Sequence, residues 1–305
     1  MCRFLRFSIF LATLTVAASA SAQDKLTLHQ TYRDVIRLKL DSGATQIPLP
    51  AGEWTLTGLY ESRTDNNNIL ILSAYLVRVE NGVVSGVVRF RVSAELLPYG
   101  WKSMSFCDRE NMHIIEKKSN YESDVDCWGV HHSLLTKRKY PPKRQTIDYL
   151  VERNFRVPLT LMAVQFRRAT EDKYFRVGYL FNPEFIGFPP PERVKWSVND
   201  WHRDRIHTDP EKVAYVDRLK VWGREWKRNV DLGFAGKLDK TKISQPFVSP
   251  GIPLGIAPAA GGETTPTTKG DDTEARLRKL KGLYDQGLIS DSEYSEKRKQ
   301  ILKGL

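Results

Sequence analysis

The sequence predicts an α+β fold: an antiparallel sheet with helices packed on one face, followed by a separate C-terminal helical hairpin. Three observations lead there. Residues 69–94 alternate around an Asn-Gly turn as a long β-hairpin. After Glu192 the hydrophobic period changes from two to about 3.6. Finally, a Pro/Gly/Thr-rich stretch cuts off a last amphipathic segment.

The hairpin is the anchor. Asn81-Gly82 meets the demand of a type I′ turn for positive φ at both central positions. Pairing outward sets Val79 beside Val84, Val77 beside Gly86, Tyr75 beside Val88, Ser73 beside Phe90 and Ile71 beside Val92, an almost wholly apolar face. The other face pairs Arg78 with Ser85, Ala74 with Arg89 and Leu72 with Arg91 and is wetter. A one-residue slip would exchange the faces. At about 3.3 Å per residue, strands of about twelve residues run roughly 40 Å, enough to carry a sheet.

The flanking elements follow in order. Residues 23–43 form a leader of no assigned shape, and residues 47–52 (IPLPAG) make a stiff turn into a strand over 53–60. Residues 64–68 are a turn before the hairpin. Leu97-Pro98-Tyr99-Gly100 breaks its second strand, residues 104–118 continue the sheet with a mixed pattern, and residues 119–146 read as loop. Residues 146–155 suit a short helix with Ile147, Leu150 and Val151 on one side. Strands over 157–167 and 173–181 are joined by a hairpin loop, and Phe188-Pro189-Pro190-Pro191 ends the strand region.

Val194, Val198 and Trp201 fit a first helix after that. A longer helix is capped either by Thr208 with Glu211 or by Asp209 with Pro210 at the first helical position. Tyr215, Leu219, Trp222 and Trp226 share one face of it, and Gly233 suits its end. Packing on the sheet is the stronger reading of that stripe, ahead of a sugar-stacking platform.

Three hundred and five residues suffice for one large domain or two ordinary ones, and 41% hydrophobic with 27% charged residues describes a globular chain. The first 22 residues read as a secretory signal: Arg3 and Arg6, an apolar run from Phe7 to Ala18, and Ala20-Ser21-Ala22 as the cleavage site. No later stretch reaches about twenty apolar residues, so no further span is expected. Cleavage near Ala22 would leave a periplasmic or secreted protein and lower the formal charge from +11 to +9, because Arg3 and Arg6 are the only charges removed. That surplus favours anionic partners, and export argues against nucleic acid.

Cleavage also removes Cys2 and leaves Cys107 and Cys127, an even pair expected to form a disulfide in an oxidising compartment. Such a loop is worth about 3 kcal/mol in the chain-entropy model. The alternative is zinc held by Cys107, His113, Cys127 and His131, but C-x5-H and C-x3-H do not match the usual ligand spacing. No metal and no cofactor is expected.

Lys137, Arg138, Lys139, Lys143 and Arg144 carry a run of positive charge without an acid. A solvated loop is the bland reading; an anionic envelope polymer or lipid headgroups would be the ligand in the functional one. The chain has no GxSxG, HExxH, Walker or dinucleotide motif. His131 and His132, near Asp124 and Asp126, are the only nameable catalytic candidates, and an exposed loop explains them better. Neighbours on a strand would point to opposite faces.

Residues 241–271 form the linker, and residues 272–305 form a second unit. Leu277, Leu280, Leu283 and Tyr284 line one helix face, and Gly287 suits the left-handed position that ends it. Ser290 and Glu293 make a capping box for a second helix, with Ile289 and Tyr294 as the staple and Ile301 and Leu302 closing the face. This string of leucines, glycine, apolar pair, serine, acid, aromatic, lysine and apolar pair resembles the SHOCT (short C-terminal) domain. Tyr294 stands where phenylalanine is common in that family. The resemblance implies oligomerisation or docking on a partner, and says nothing of residues 23–240, which resemble only exported bacterial proteins of no assigned activity. A hairpin of about thirty residues without staples must pack on something to be stable.

The expectation is thus a signal peptide (1–22), an α+β body (23–240), a linker (241–271) and a SHOCT-like hairpin (272–305). The function expected is that of a non-catalytic exported binding or assembly protein, its tail joining copies of itself or another envelope protein. The competing readings are an envelope hydrolase or transferase with an unrecognised site, and a purely structural envelope protein.

Overall fold

The computed structural model of the chain describes residues 26–65, 68–97, 99–135 and 140–239, with Leu277, Leu280, Lys281 and residues 291–302 of the tail. The signal segment and the linker lie outside the described residues. No described helix is long and apolar enough to cross a membrane. The class is the expected one, α+β around an antiparallel sheet.

Strands β4 (Trp54–Arg63), β5 (Leu70–Glu80) and β6 (Val83–Ser93) form one meander, with β1 (Thr31–Tyr32) on its edge. Strands β7 (Ile114–Tyr121), β8 (Asp124–Leu134), β9 (Thr160–Ala169) and β10 (Tyr174–Phe181) form a second. Pairing of β6 with β10 joins the two into an eight-stranded antiparallel sheet. Strands β2 (Val35–Leu40) and β3 (Gly43–Pro48) make a separate hairpin. Residues 23–43 thus supply β1, β2 and the start of β3 in place of a shapeless leader, and residues 119–146 are largely the β7–β8 hairpin and not loop.

The central hairpin turns at Asn81-Gly82 with both φ angles positive, as its sequence demands. Its register is not the expected one. After Val79↔Val84 the ladder skips Ser85, so Arg78 pairs with Gly86, Leu76 with Val88, Ala74 with Phe90 and Leu72 with Val92. Ser85 is a β-bulge, and its Oγ donates to the Arg78 carbonyl at 3.3 Å. The physical reason lies in β6. Strand β5 is apolar on both faces, so its alternation does not choose, whereas Arg89 and Arg91 would lie under a helix in the unbulged register. The bulge turns both arginines away and leaves Leu72, Ala74, Leu76, Val88, Phe90 and Val92 in one core.

That core is roofed by α2 (Pro210–Phe234). Asp209 is the cap, its side chain accepting from the Lys212 amide at 3.1 Å, with Pro210 at the first position. Tyr215, Leu219, Trp222 and Trp226 are buried against the sheet, so core packing holds over a sugar platform. Trp222 and Trp226 stack at 5.2 Å, and Tyr179 meets both edge-on. Gly233 is still helical; the left-handed residue that ends the helix is Gly236, at φ +68°. Asp126 on β8 pairs with Arg168 and Lys227, and both cations also reach Asp231, tying α2 to the sheet. Residues 192–201 do not form an α-helix: only a 3-10 turn at Trp196–Val198 appears there.

Helix α1 (Pro141–Glu152) starts at two prolines, earlier than residue 146, and lies on the opposite face of the sheet from α2, so helices cover both faces and not the one face expected. Ile147 and Leu150 pack there on Tyr75, Val77, Val87, Leu161, Ala163 and Leu180. Of the tail, α3 (Asp291–Leu302) is described, with Tyr294 and Ile301 half-buried, and Leu277 and Leu280 are helical, Leu280 at 7% exposure. Leu283, Tyr284, Gly287, Ile289 and Ser290, and the side chain of Leu302, lie outside the described residues.

Candidate functional site

The face that carries α1 has two covers. At the turn end of β5 and β6 lies α1 itself. At the other end Leu97, Met104, Phe106 and Met112 pack on Ile69, Ile71, Val125 and Tyr174, held by the Cys107–Cys127 disulfide. The bridge is the one expected, and it decides against zinc, because both sulfurs are consumed. His113 bonds the Trp201 carbonyl at 3.0 Å, and His131 the His132 carbonyl at 2.7 Å.

Between the covers the floor of the sheet is basic. In-register pairing puts Arg91 beside Arg176, and Arg176 beside Arg167, in one row across β6, β10 and β9. One row along, Arg89 and Gln165 flank Gly178. Tyr75, Arg89, Phe90, Arg91, Tyr140 and Arg176 line a cavity of about 180 Å³. No carboxylate lines it, and none of the four arginines has an ion-pair partner among the described residues. Like charges directly opposite on neighbouring strands destabilise a sheet, and here three stand in line.

The contacts the arginines do make hold them in place without neutralising them. Arg89 donates to Gln165 Oε1 at 3.0 Å, and Arg167 to the Tyr174 hydroxyl at 3.2 Å. The Arg167 guanidinium lies 4.8 Å from the Phe106 ring centre, and that of Arg91 5.7 Å from Tyr140's. The Nε atoms of Arg89, Arg91 and Arg167 and the Gln165 amide nitrogen are buried without a partner. Every one of these unused groups is a donor. Burial and the charges of Arg167 and Arg89 push Arg176 down to about 9, which still leaves it charged at neutral pH. Burial alone would raise the Tyr174 hydroxyl, but Arg167, Arg176 and Arg91 together bring it below its ordinary value.

The expected site residues fall as follows. His131 and His132 are buried in β8, at 8% and 1% exposure, and not in an exposed loop. They point to opposite faces. His131 approaches Gln165 and the Phe106 ring, whereas His132 stacks on Trp196 at 4.6 Å and bonds the Trp196 carbonyl at 2.9 Å. Burial lowers them to about 3 and about 4, so both are neutral at pH 7. Among the described residues no carboxylate meets either ring: Asp126 is spent on Arg168 and Lys227, and Asp124 accepts from Ser119.

Of the basic run, Lys137, Arg138 and Lys139 lie outside the described residues. Lys143 donates to the Leu134 carbonyl at 2.5 Å and Arg144 is exposed on α1. The run leads directly into Tyr140, one wall of the cavity. None of the four arginines was among the expected site residues, and Arg89 and Arg91 were expected only on the wetter face of the central hairpin. Their signal was present as charged residues alternating inside otherwise apolar strands: Arg89 and Arg91 in VVRFRV, Arg167 in QFRR and Arg176 in YFRVGY.

Compared with curated proteins and with solved structures, the chain matches none. Among protein families, the short C-terminal domain matches residues 275–302. The tail of this chain, with α3 as its last helix, is therefore a SHOCT domain.

Proposed function

We propose that this is a non-catalytic exported binding or assembly protein, whose body takes an anionic ligand in the arginine groove and whose SHOCT tail joins it to another copy or to a second envelope protein. The observation that carries the reading is the row of Arg91, Arg176 and Arg167 with Arg89 beside it and no acid among them. A fold does not gather unpaired like charges for its own stability; they are tolerated where a ligand supplies the counter-charge. The disulfide and the signal-like N-terminus support an oxidising compartment outside the cytoplasm. The neutral, carbonyl-bonded histidines favour binding over acid–base chemistry.

Stability tests the groove. In ligand-free protein, Arg91→Gln/Arg176→Gln should raise Tm by about 2–4 °C, the shift about 1 kcal/mol makes in a domain of this size. A fall in Tm by that amount would make the arginines structural and end the reading. Mass tests the tail. Light scattering on residues 23–305 should give an oligomer, and on residues 23–240 a monomer. Equal monomeric masses would remove self-association as the tail's role.

A further inference from the structure

We infer that the groove is selective for a small polyvalent oxyanion, one that presents two or more negative charges on a body no larger than citrate. The inference rests on the anion-binding reading above and narrows it. Three features of the site set the class.

The first is charge. Arg89, Arg91, Arg167 and Arg176 stand together with no acid among the lining residues, so a single negative charge leaves most of the repulsion in place. The second is donor geometry. Neighbouring strands lie about 4.8 Å apart, so Arg91, Arg176 and Arg167 set three planar forks along a row roughly 10 Å long. Guanidinium forks bond carboxylate or phosphate oxygens in pairs, and the unpartnered Nε groups of the lining Arg89 and Arg91 add donors only. Arg89 donates to Gln165 Oε1, which holds its guanidinium at the cavity without neutralising it. A ligand with hydroxyl or amide donors would find few acceptors there. The third is size. The cavity of about 180 Å³ is walled by the Tyr75 and Tyr140 rings, which suits a compact molecule and not a polymer chain.

Calorimetric titration of the mature full-length protein tests this, with sodium phosphate, citrate and acetate as probes at matched ionic strength and pH 7.5. Phosphate or citrate should bind at least tenfold tighter than acetate, and added salt should weaken both. Arg91→Gln and Arg176→Gln, made separately so that one folding failure does not decide the matter, should each weaken the polyvalent probe tenfold or more. Arg176→Lys, which keeps the charge and loses the fork, should fall between. Acetate binding as tightly as phosphate and citrate would overturn the inference while leaving an anion groove. Binding of none of the three together with no association with vesicles containing phosphatidic acid, or binding that both glutamine variants leave unchanged, would overturn the groove reading itself. A fourth arm uses vesicles containing phosphatidic acid. Association with those and not with the soluble anions would place the charge on a lipid headgroup and also overturn the small-molecule class.

Discussion

Acidification from pH 6.5 to about 4.5 is expected to destabilise the body severely. His113, His131 and His132 are held neutral, at about 4, about 3 and about 4, chiefly by burial. In the unfolded chain each takes up a proton near its ordinary 6.5. The unfolded state therefore binds more protons as pH falls, and stability falls with it. Sign and window follow together: the contribution is complete above pH 6.5, erodes below it, and stops changing once the folded rings also charge near pH 4 to 3.

Each ring removes about 1.4 kcal/mol per pH unit inside that window, so the three together remove about 4 kcal/mol per unit. Against a total stability of about 5–15 kcal/mol, a body at the lower end of that range should reach its unfolding midpoint between about pH 5.3 and 4.5. The segment from Trp196 to His202 should loosen first, because His132 and His113 hold it through the Trp196 and Trp201 carbonyls. Thermal melts by circular dichroism from pH 8 to 4 read this directly. A Tm that stays level down to pH 5 would mean that the rings charge inside the fold.

Gly58→Val is expected to cost about 3 kcal/mol and to damage the groove from a distance. Strand β4 is bulged at Thr57, and α1 lies directly on the strand there. Thr57 and Thr146 hydroxyls meet at 3.1 Å, and the Leu59 amide donates to Gln145 at 2.9 Å. A Cβ on residue 58 would stand 2.0 Å from the Pro142 carbonyl oxygen and 2.8 Å from Thr146 Oγ1. The first obstacle is backbone, so no rotamer change relieves it and α1 must lift. Tyr140 immediately precedes that helix and walls the cavity, so the variant should lose anion affinity as well as Tm. A drop of about 6–12 °C is the expected reading for a domain of this size. Unchanged Tm and affinity together would show that α1 is not seated on β4 as described.

Much of this protein was legible one element at a time. The Asn81-Gly82 turn, the strands on either side of Thr170–Lys173, the Asp209 cap with its Tyr215–Trp226 stripe, the Cys107–Cys127 pair and the SHOCT tail are all announced by residues close in the chain or by plain counting. The misread stretches share a cause. Strands β7 and β8 carry Lys117, Lys118, Asp124, Asp126 and two histidines, so their polarity masks a strand whose partners lie elsewhere. Thr208 and Asp209 competed as caps with equal local claims, and only the hydrogen bond to the Lys212 amide separated them.

The sequence by itself determined the local grammar: where the central hairpin turns, where the long helix begins, which segment stands apart as a tail, and that the body is α+β. The tertiary structure alone decided register, layer and site. Strand β5 is apolar on both faces, so the bulge at Ser85 answers to α2, whose buried aromatic stripe would otherwise lie on Arg89 and Arg91. Arg91 and Arg176 belong to different meanders and become neighbours only where β6 pairs with β10. A charge cluster is a property of the seam between them, and pattern along one strand carries no information about the strand that will lie beside it.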